Sequence, residues 1–374
     1  MKVLFDTQIF DWQINGGISR YFIEVLNRLN SNNDVEVLFK CRHSYNTYIQ
    51  NTQWLVHNPF LKNLQFKGKL SVLKFINQKI NRSYSNHLLQ KNIPDLFHPT
   101  YYDPYFLPYL NQKPLVLTVY DLTNEKFNDH SVLTAKVLAW KKKLISRANH
   151  IIAISENTRK DVIEYYNIAP EKVTTVYLSG GFDQKVLQAL QVAEMDNIPE
   201  RFILFVGSRS SYKNFAAFVK EVAPVMKQEN VSLVAAGGGA MNTTEINLLK
   251  DLGITDKITA FPHVSDIFLS QLYKKAAVFI FPSLYEGFGL PVLEAMQCEC
   301  PVLLSNNSSL PEVGGSAAAY FDPFVNGDLQ DKLQFLLNNE TFRLKMVNTG
   351  KEQVKKFNWD ATAQGHIDVY KKLV

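Results

Sequence analysis

Residues 276–300 read AAVFIFPSLYEGFGLPVLEAMQCEC, and the fold expected for the whole chain follows from this stretch. It opens on an apolar run, Ala276 to Phe281, too short to cross a membrane and suited to a strand buried on both faces. Pro282 and Ser283 end that strand. Glu286-Gly287-Phe288-Gly289-Leu290-Pro291 follows, with two glycines that permit close backbone approach and a proline suited to the first turn of a helix. Val292, Leu293 and Met296 give the helix an apolar face, and Glu294 lies in its first turn. Strand, glycine loop and helix N-terminus succeed one another, with one carboxylate ahead of the loop and one just beyond it.

Unpaired amides and the positive end of a helix dipole make such a turn an anion site. Glu286 and Glu294 would accept hydrogen bonds from sugar hydroxyls on either side of that anion. Phosphate together with hydroxyls suggests a nucleotide-sugar. An ordinary βα unit with two solvated glutamates has the same local pattern, so the rest of the chain has to decide.

Working outward, the same rhythm recurs. Phe202–Val206 reads as a strand, followed by Gly207-Ser208-Arg209-Ser210-Ser211-Tyr212-Lys213-Asn214 and a helix from Phe215 to Met226. Val231–Ala236 is a strand closed by Gly237-Gly238-Gly239. In the N-terminal half, Val3–Phe5 feeds Asn15-Gly16-Gly17, which opens a helix with apolar residues at Ile18, Phe22, Val25, Leu26 and Leu29. Leu115–Tyr120 is a buried-type strand ending at Asp121, and Ile151–Ser155 and Val173–Tyr177 are two more. Strands alternating with helices imply a parallel sheet with helices on both faces, once in each half. Gly16–Gly17, Asp121, Arg209 with Lys213, Gly237–Gly239 and Glu286 all follow the carboxyl end of an expected strand, the edge at which open α/β sheets bind ligands. Two such sheets facing each other would leave a cleft lined from both sides.

At 374 residues the chain suits two domains rather than one core. The boundary is expected at 183/184, ahead of a weakly patterned Gln/Ala-rich stretch that runs to Pro199, and Phe357-Asn358-Trp359-Asp360 introduces a last helix. No apolar run reaches the ~20 residues of a membrane span, and MKVLFDTQIF reads as a first strand rather than a signal peptide. Cys41, Cys298 and Cys300 have no metal-ligand spacing and read as reduced thiols in a cytoplasmic protein.

Charge is unevenly placed. Residues 1–183 hold 22 Lys and Arg against 15 Asp and Glu, a net +7, while residues 184–374 hold 18 against 20, a net −2. Val37 to Pro94 contains no acidic residue and carries Lys62, Lys67, Lys69 and Lys74 among Phe60, Leu61, Leu64, Phe66, Leu70, Leu73, Phe75 and Ile76. A second basic helix, Ser131 to Arg147, bears Lys136, Lys141, Lys142 and Lys143. Basic and apolar residues together fit a surface lying on anionic lipid, or a solvated face of a soluble enzyme. No recognition motif accompanies the charge, so nucleic acid is not expected.

Arg209 and Lys213, four apart after a strand, would neutralise a diphosphate leaving group, or stand as two exposed cations. Gly237–Gly239 has no Lys-Ser or Lys-Thr after it and is not a P-loop; Gly238 would let a base or ribose approach, or simply turn the chain. Asp121 would orient an acceptor or sugar hydroxyl, or cap the next segment. His98 and His263 read as structural. No Asp-x-Asp pair occurs, so side chains and a helix dipole are expected where other transferases use a metal, and no cofactor is called for.

With these residues in hand, the sequence resembles the GT-B glycosyltransferases of family 4, the large retaining group that builds bacterial polysaccharides. The most specific match is Glu286 to Met296, which carries the family's E-x7-E signature with its internal glycines. Supporting matches are Gly16–Gly17, Gly207-x-Arg209 with Tyr212–Lys213–Asn214, Ser283–Leu284, and Pro311-Glu312-Val313-Gly314-Gly315. The resemblance implies two Rossmann-like domains facing across a cleft: residues 1–183 binding acceptor, 184–358 binding the nucleotide-sugar, and 359–374 crossing back to the first domain. It implies a metal-independent, retaining hexosyltransferase of surface polysaccharide synthesis (lipopolysaccharide, O-antigen or capsule), with a lipid-linked glycan acceptor on the inner face of the plasma membrane.

Residue by residue, the resemblance places Glu286 on donor-sugar hydroxyls and Glu294 on ribose. Arg209 and Lys213 would hold the diphosphate, with backbone amides of Gly287, Phe288, Gly289 and Leu290 beside them, and Gly207 and Gly238 near the nucleotide. Gly16 and Gly17 would approach the donor phosphate. Asp121 falls where many relatives carry a His-Asp pair; Tyr120 stands in place of that histidine, which puts the histidine's role in doubt here. The catalytic set expected is Asp121, Glu286, Arg209 and Lys213. A nucleotide-sugar epimerase of the same fold and a catalytically silent glycan-binding scaffold are the competing readings; a dehydrogenase is disfavoured because neither half has the dinucleotide fingerprint.

Overall fold

Every strand pairing among the described residues runs parallel. The computed structural model describes residues 1–50, 52–56, 69–127, 131–189, 198–209 and 211–374. The chain divides into two units, Met1–Leu178 with Trp359–Val374, and Ser179–Asn358.

In the first unit, β1 (Lys2–Phe5), β2 (Glu36–Leu38) and β3 (Leu96–His98) form a sheet of order β2-β1-β3. A second sheet holds β4 (Val116–Val119), β5 (His150–Ala153) and β6 (Val173–Thr175) in that order. A parallel bridge between Phe97 and Leu115 ties the two together. The second unit has one sheet, built from β7 (Phe202–Val206), β8 (Ser232–Ala236), β9 (Ile258–Phe261), β10 (Val278–Phe281), β11 (Val302–Ser305) and β12 (Ala319–Phe321) in the order β12-β11-β10-β7-β8-β9. Strands buried on both faces read as unbroken apolar runs, and FILFV of β7 and VFIF of β10 are buried at every position. The direction of winding reverses between β1 and β3 and again between β7 and β10. Each reversal leaves a crevice at the strands' carboxyl ends.

The units part between Leu178 and Ser179, ahead of the boundary expected at 183/184. The reason is local packing: the Ser179 hydroxyl donates to the Phe357 carbonyl at 2.9 Å, and the Phe182 amide donates to Gln297 Oε1 at 2.5 Å. The last helix, Trp359–Lys371, lies with the first unit. It packs on the helix Gly17–Asn30, whose apolar face of Phe22, Val25, Leu26 and Leu29 is fully buried.

A buried polar layer fixes that helix. Tyr21 Oη lies 2.5 Å from His366 Nε2, His366 Nδ1 donates to the Thr362 carbonyl at 2.7 Å, and His98 bridges Tyr370 Oη (2.7 Å) and Thr118 Oγ1 (2.9 Å). His98 is thus structural, as its sequence context suggests. Of the basic apolar segment, Phe60, Leu61, Lys62, Leu64, Phe66 and Lys67 lie outside the described residues. For Lys69, Leu70, Leu73, Lys74, Phe75 and Ile76 only the backbone of the helix Lys69–Gln90 is described.

Burial holds both histidines neutral, His366 down to about 4 and His98 well below its usual value. The unfolded chain therefore takes up protons first as pH falls. Stability is unaffected above pH ~6.5 and is lost between ~6.5 and ~4, by about 2 kcal/mol for His366 alone at pH 5. Urea denaturation at pH 7 and pH 5 checks this: the loss should shrink in His366→Gln, and an equal loss in both proteins would contradict it.

Candidate active site

The crevice of the second unit lies between the carboxyl ends of β7 and β10, which pair through Ile203–Val278 and Leu204–Phe279. Beyond β10 the chain must bend sharply into the helix Leu290–Gln297. Gly289 makes that bend at φ 108°, a conformation costly for any residue with a Cβ, and a Cβ there would sit 2.9 Å from Leu310 Cδ2. The arch Glu286–Phe288 is pinned from the loop after β11. Ser308 Oγ accepts the Glu286 amide at 2.8 Å, and the Ser309 hydroxyl lies 2.9 and 2.8 Å from the Glu286 and Phe288 carbonyls.

Lys213 meets Glu286 across the crevice. Nζ is 2.6 Å from Glu286 Oε1, and both side chains are 13% exposed. The ammonium also stands 4.9 Å from the Phe281 ring, and the Leu284 amide donates to the Tyr212 carbonyl at 2.8 Å, tying the two loops together. An ammonium has three N–H donors; one serves Glu286. Glu294 lies one turn further into the helix than the sequence suggests, because the helix starts at Leu290; it accepts from Tyr273 Oη at 3.3 Å. Burial, with the Glu294 charge beside it, raises the Tyr273 phenol well above its usual value.

Arg209 does something different from what its neighbour Lys213 suggests. Its side chain is 4% exposed and its donors go to protein: Nε to Glu245 Oε1 at 2.8 Å, one terminal nitrogen to the Gly237 carbonyl at 2.9 Å, the other to the carbonyls of Gly238, Gly239 and Ala240 at 3.3, 3.0 and 2.9 Å. Gly237, Gly238 and Gly239 have φ of 88°, 76° and 77°, which explains the triple glycine. A Cβ on Gly238 would lie 2.9 Å from both Arg209 and the Gly207 carbonyl. Arg209 thus clamps the turn after β8. Glu245 links the clamp to a capping box, since Asn242 accepts its amide and it accepts Asn242's.

Of the residues expected in the site, Gly207, Arg209, Lys213, Gly238, Glu286, Gly287, Phe288, Gly289, Leu290 and Glu294 all fall in the second unit, on the loops after β7, β8 and β10. Gly16, Gly17 and Asp121 fall in the first. Gly16 precedes the helix Gly17–Asn30 and its carbonyl accepts from the Ser19 hydroxyl at 2.9 Å. Asp121 follows β4; its Oδ1 accepts the Thr123 amide at 2.9 Å and its carbonyl accepts from Lys141 Nζ. Lys141 is not on a basic surface: it is buried and paired with buried Glu125 at 2.8 Å. Tyr120 is buried too, its hydroxyl donating to the Thr100 carbonyl at 3.0 Å.

Sequence reasoning missed Ser308, Ser309, Glu245 and Asp6. Asp6 is fully buried at the end of β1 and accepts from the Thr100 amide and hydroxyl and from Gln8. Only Glu245 left a legible signal, as Asn242-x-x-Glu245 is a helix-start pattern. Among the described residues no group of three or more His, Cys, Asp or Glu is placed to hold a metal ion.

The fold is thus a two-unit parallel α/β fold, with a glycine-bent helix tip, a cation and two carboxylates after neighbouring strands of the second unit. Comparison with known proteins places it more closely. Residues 15–178 match the family model for Glycosyltransferase Family 4 and residues 194–353 the model for Glycosyl transferases group 1. The chain belongs to this family of glycosyltransferases, and its fold is GT-B. The chain is 26% identical to the O-antigen chain mannosyltransferase B of Escherichia coli, over 100% of both chains. Among solved structures it is similar to sucrose-phosphate synthase from Thermosynechococcus elongatus, with TM-score 0.71 and 18% identity over 100% of this chain and 98% of that one. It is similar also to Anabaena HepE, solved with UDP and glucose, with TM-score 0.64 and 17% identity over 100% of both.

The clamp makes a stability prediction. Arg209→Lys removes the planar fork from the carbonyls of 237–240, of which those of Gly237 and Gly239 are partly buried, so it should cost about 1–2 kcal/mol in urea denaturation. Unchanged stability would show that the guanidinium does not hold this turn.

Proposed function

We propose that the protein transfers a hexose from a nucleoside-diphosphate donor to a glycan acceptor of bacterial surface polysaccharide, with retention of configuration and without a metal. The observation that carries this is the Lys213–Glu286 pair held beside the amides of the Leu290 helix tip, at the winding reversal of a parallel sheet. Lys213's remaining N–H groups and the helix tip would take the diphosphate as it leaves. Glu286 would accept donor-sugar hydroxyls and Glu294 the ribose. Arg209 would act through the turn it clamps, presenting Gly237–Gly239 to the nucleoside. The C1–O bond to diphosphate breaks, the acceptor oxygen bonds to C1 on the same face, and the acceptor's proton passes to the departing diphosphate. No side chain is required as a covalent nucleophile. Asp121 would orient the acceptor hydroxyl.

The E. coli relative's name makes mannose the first sugar to test, and the UDP and glucose held together by HepE make UDP-glucose the second donor to test. A lipid-linked acceptor on an anionic inner membrane surface fits exposed Lys142 and Lys143, with Val132 and Leu133 exposed on the same helix. Among the described residues no helix is long and apolar enough to cross a membrane.

A thermal-shift screen of UDP-, GDP- and dTDP-sugars should identify the donor, because only the bound state gains stability. With that donor and EDTA present, transfer should persist, and Glu286→Gln and Lys213→Met should each lower kcat on the order of 100-fold, about 3 kcal/mol of transition-state stabilisation. Full activity in either variant, or epimerised donor forming without acceptor, would overturn the reading.

A further inference from the structure

The aromatic residues of the first unit are not all in its core. Trp12 ends the helix Gln8–Trp12 after β1, Tyr101 lies in the loop after β3, and Trp140 sits in the helix Val132–Arg147 that follows β4. Three separate elements thus bring aromatic rings together, Trp12 to Tyr101 at 5.3 Å and Trp12 to Trp140 at 6.3 Å between ring centroids. All three are only half-buried. Inward from Tyr101 the ring contacts continue through Tyr102 to Tyr120 and Tyr21, and those three are buried. The inner rings are core; the outer three leave ring surface in water, which costs stability unless something uses it.

The position and chemistry of the outer rings say what that is. They follow adjacent strands of one parallel edge, the edge that also carries Asp121. Lys141 Nζ, which donates to the Asp121 carbonyl and pairs with Glu125, stands 5.4 Å from the ring of Tyr102, the chain neighbour of Tyr101, so both acidic residues lie close to this aromatic cluster, and burial together with their charges raises the Tyr101 phenol. Lys136 Nζ stands over the Trp140 ring, 4.6 Å from its centre, and offers hydroxyls a donor directly beside the aromatic surface. Aromatic faces with polar groups at their margin match a pyranose ring, which offers C–H bonds on its faces and hydroxyls at its rim. An acyl chain would have no use for the ammonium or the carboxylate.

We infer that Trp12, Tyr101 and Trp140 form a stacking platform for the pyranose rings of the acceptor glycan, bordering Asp121. This rests on the transferase reading above and names acceptor-specificity residues for it. The protein contains four tryptophans; Trp54 is buried and Trp359 is half-buried against Tyr21, so the titration uses protein carrying Trp54→Phe and Trp359→Phe, in which intrinsic fluorescence reports on the platform. Titration with α-linked mannose, glucose and galactose trisaccharides should give saturable quenching with at least one of them. Trp12→Leu and Trp140→Leu should each weaken that binding at least tenfold, read by calorimetry because the fluorophore is lost, and raise the acceptor KM correspondingly. The thermal shift produced by the nucleotide-sugar in each variant shows that it is folded and still takes donor. No quenching by any trisaccharide, or variants that bind as tightly as the parent, would overturn the platform. Trisaccharide binding without any donor shift in the parent protein would instead remove the transferase assignment of the second unit and leave the platform standing.

Discussion

An ion pair 2.6 Å long, Lys213 to Glu286, joins the loops that leave β7 and β10, and the site of the second unit depends on it. Both partners are shielded from water, so the pair is held at fixed geometry rather than sampled as an exposed pair would be. The backbone supports it twice over, by the Leu284–Tyr212 hydrogen bond and by the Ser308–Ser309 hydroxyls beneath Glu286. A lysine placed this way keeps donors in hand for an anion, and the helix tip at Leu290 supplies a second source of positive potential beside it. Hydrogen bonds within the protein fix these groups relative to one another, the preorganisation that stabilising a diphosphate leaving group would require.

The two cations of the motif divide their labour. Lys213 spends one of its three donors on Glu286, whereas Arg209 gives nearly all its donors to the turn 237–240 and Glu245. A planar guanidinium suits convergent carbonyls and a compact ammonium suits a phosphate that comes and goes. The same logic appears in the first unit, where buried Lys141 and Glu125 sit under the Asp121 carbonyl. In each unit a cation that reads as surface charge fastens a loop that bears a candidate site residue.

Much of this was legible in the sequence and some was not, for reasons of range. The apolar runs of β7 and β10 announce themselves because strands covered on both faces need no alternation. Gly289 and Gly237–Gly239 announce themselves because only glycine takes those backbone angles without strain. Partners across the fold leave no such trace. Nothing near Lys141 says that it is buried against Glu125, and Ser308 and Ser309 look like loop serines until β11 is laid beside β10. The spacing of Arg209 to Lys213 suggests a phosphate ligand, whereas its guanidinium meets carbonyls 28 to 31 residues further along the chain, on the turn after β8. The edge of the first unit at 178/179 depended on where Ser179 and Phe182 find hydrogen-bond partners, which periodicity does not record.

The central claim is that Lys213 and the adjoining helix tip hold the diphosphate of the donor. Calorimetric titration of the parent protein and Lys213→Met with UDP and GDP, alongside UMP and GMP, tests it without requiring the acceptor. The diphosphate that binds should lose at least tenfold in affinity in the variant while its monophosphate is little changed, since only the second phosphate reaches the ammonium. Equal losses for the two, or no loss for the diphosphate, would contradict the account.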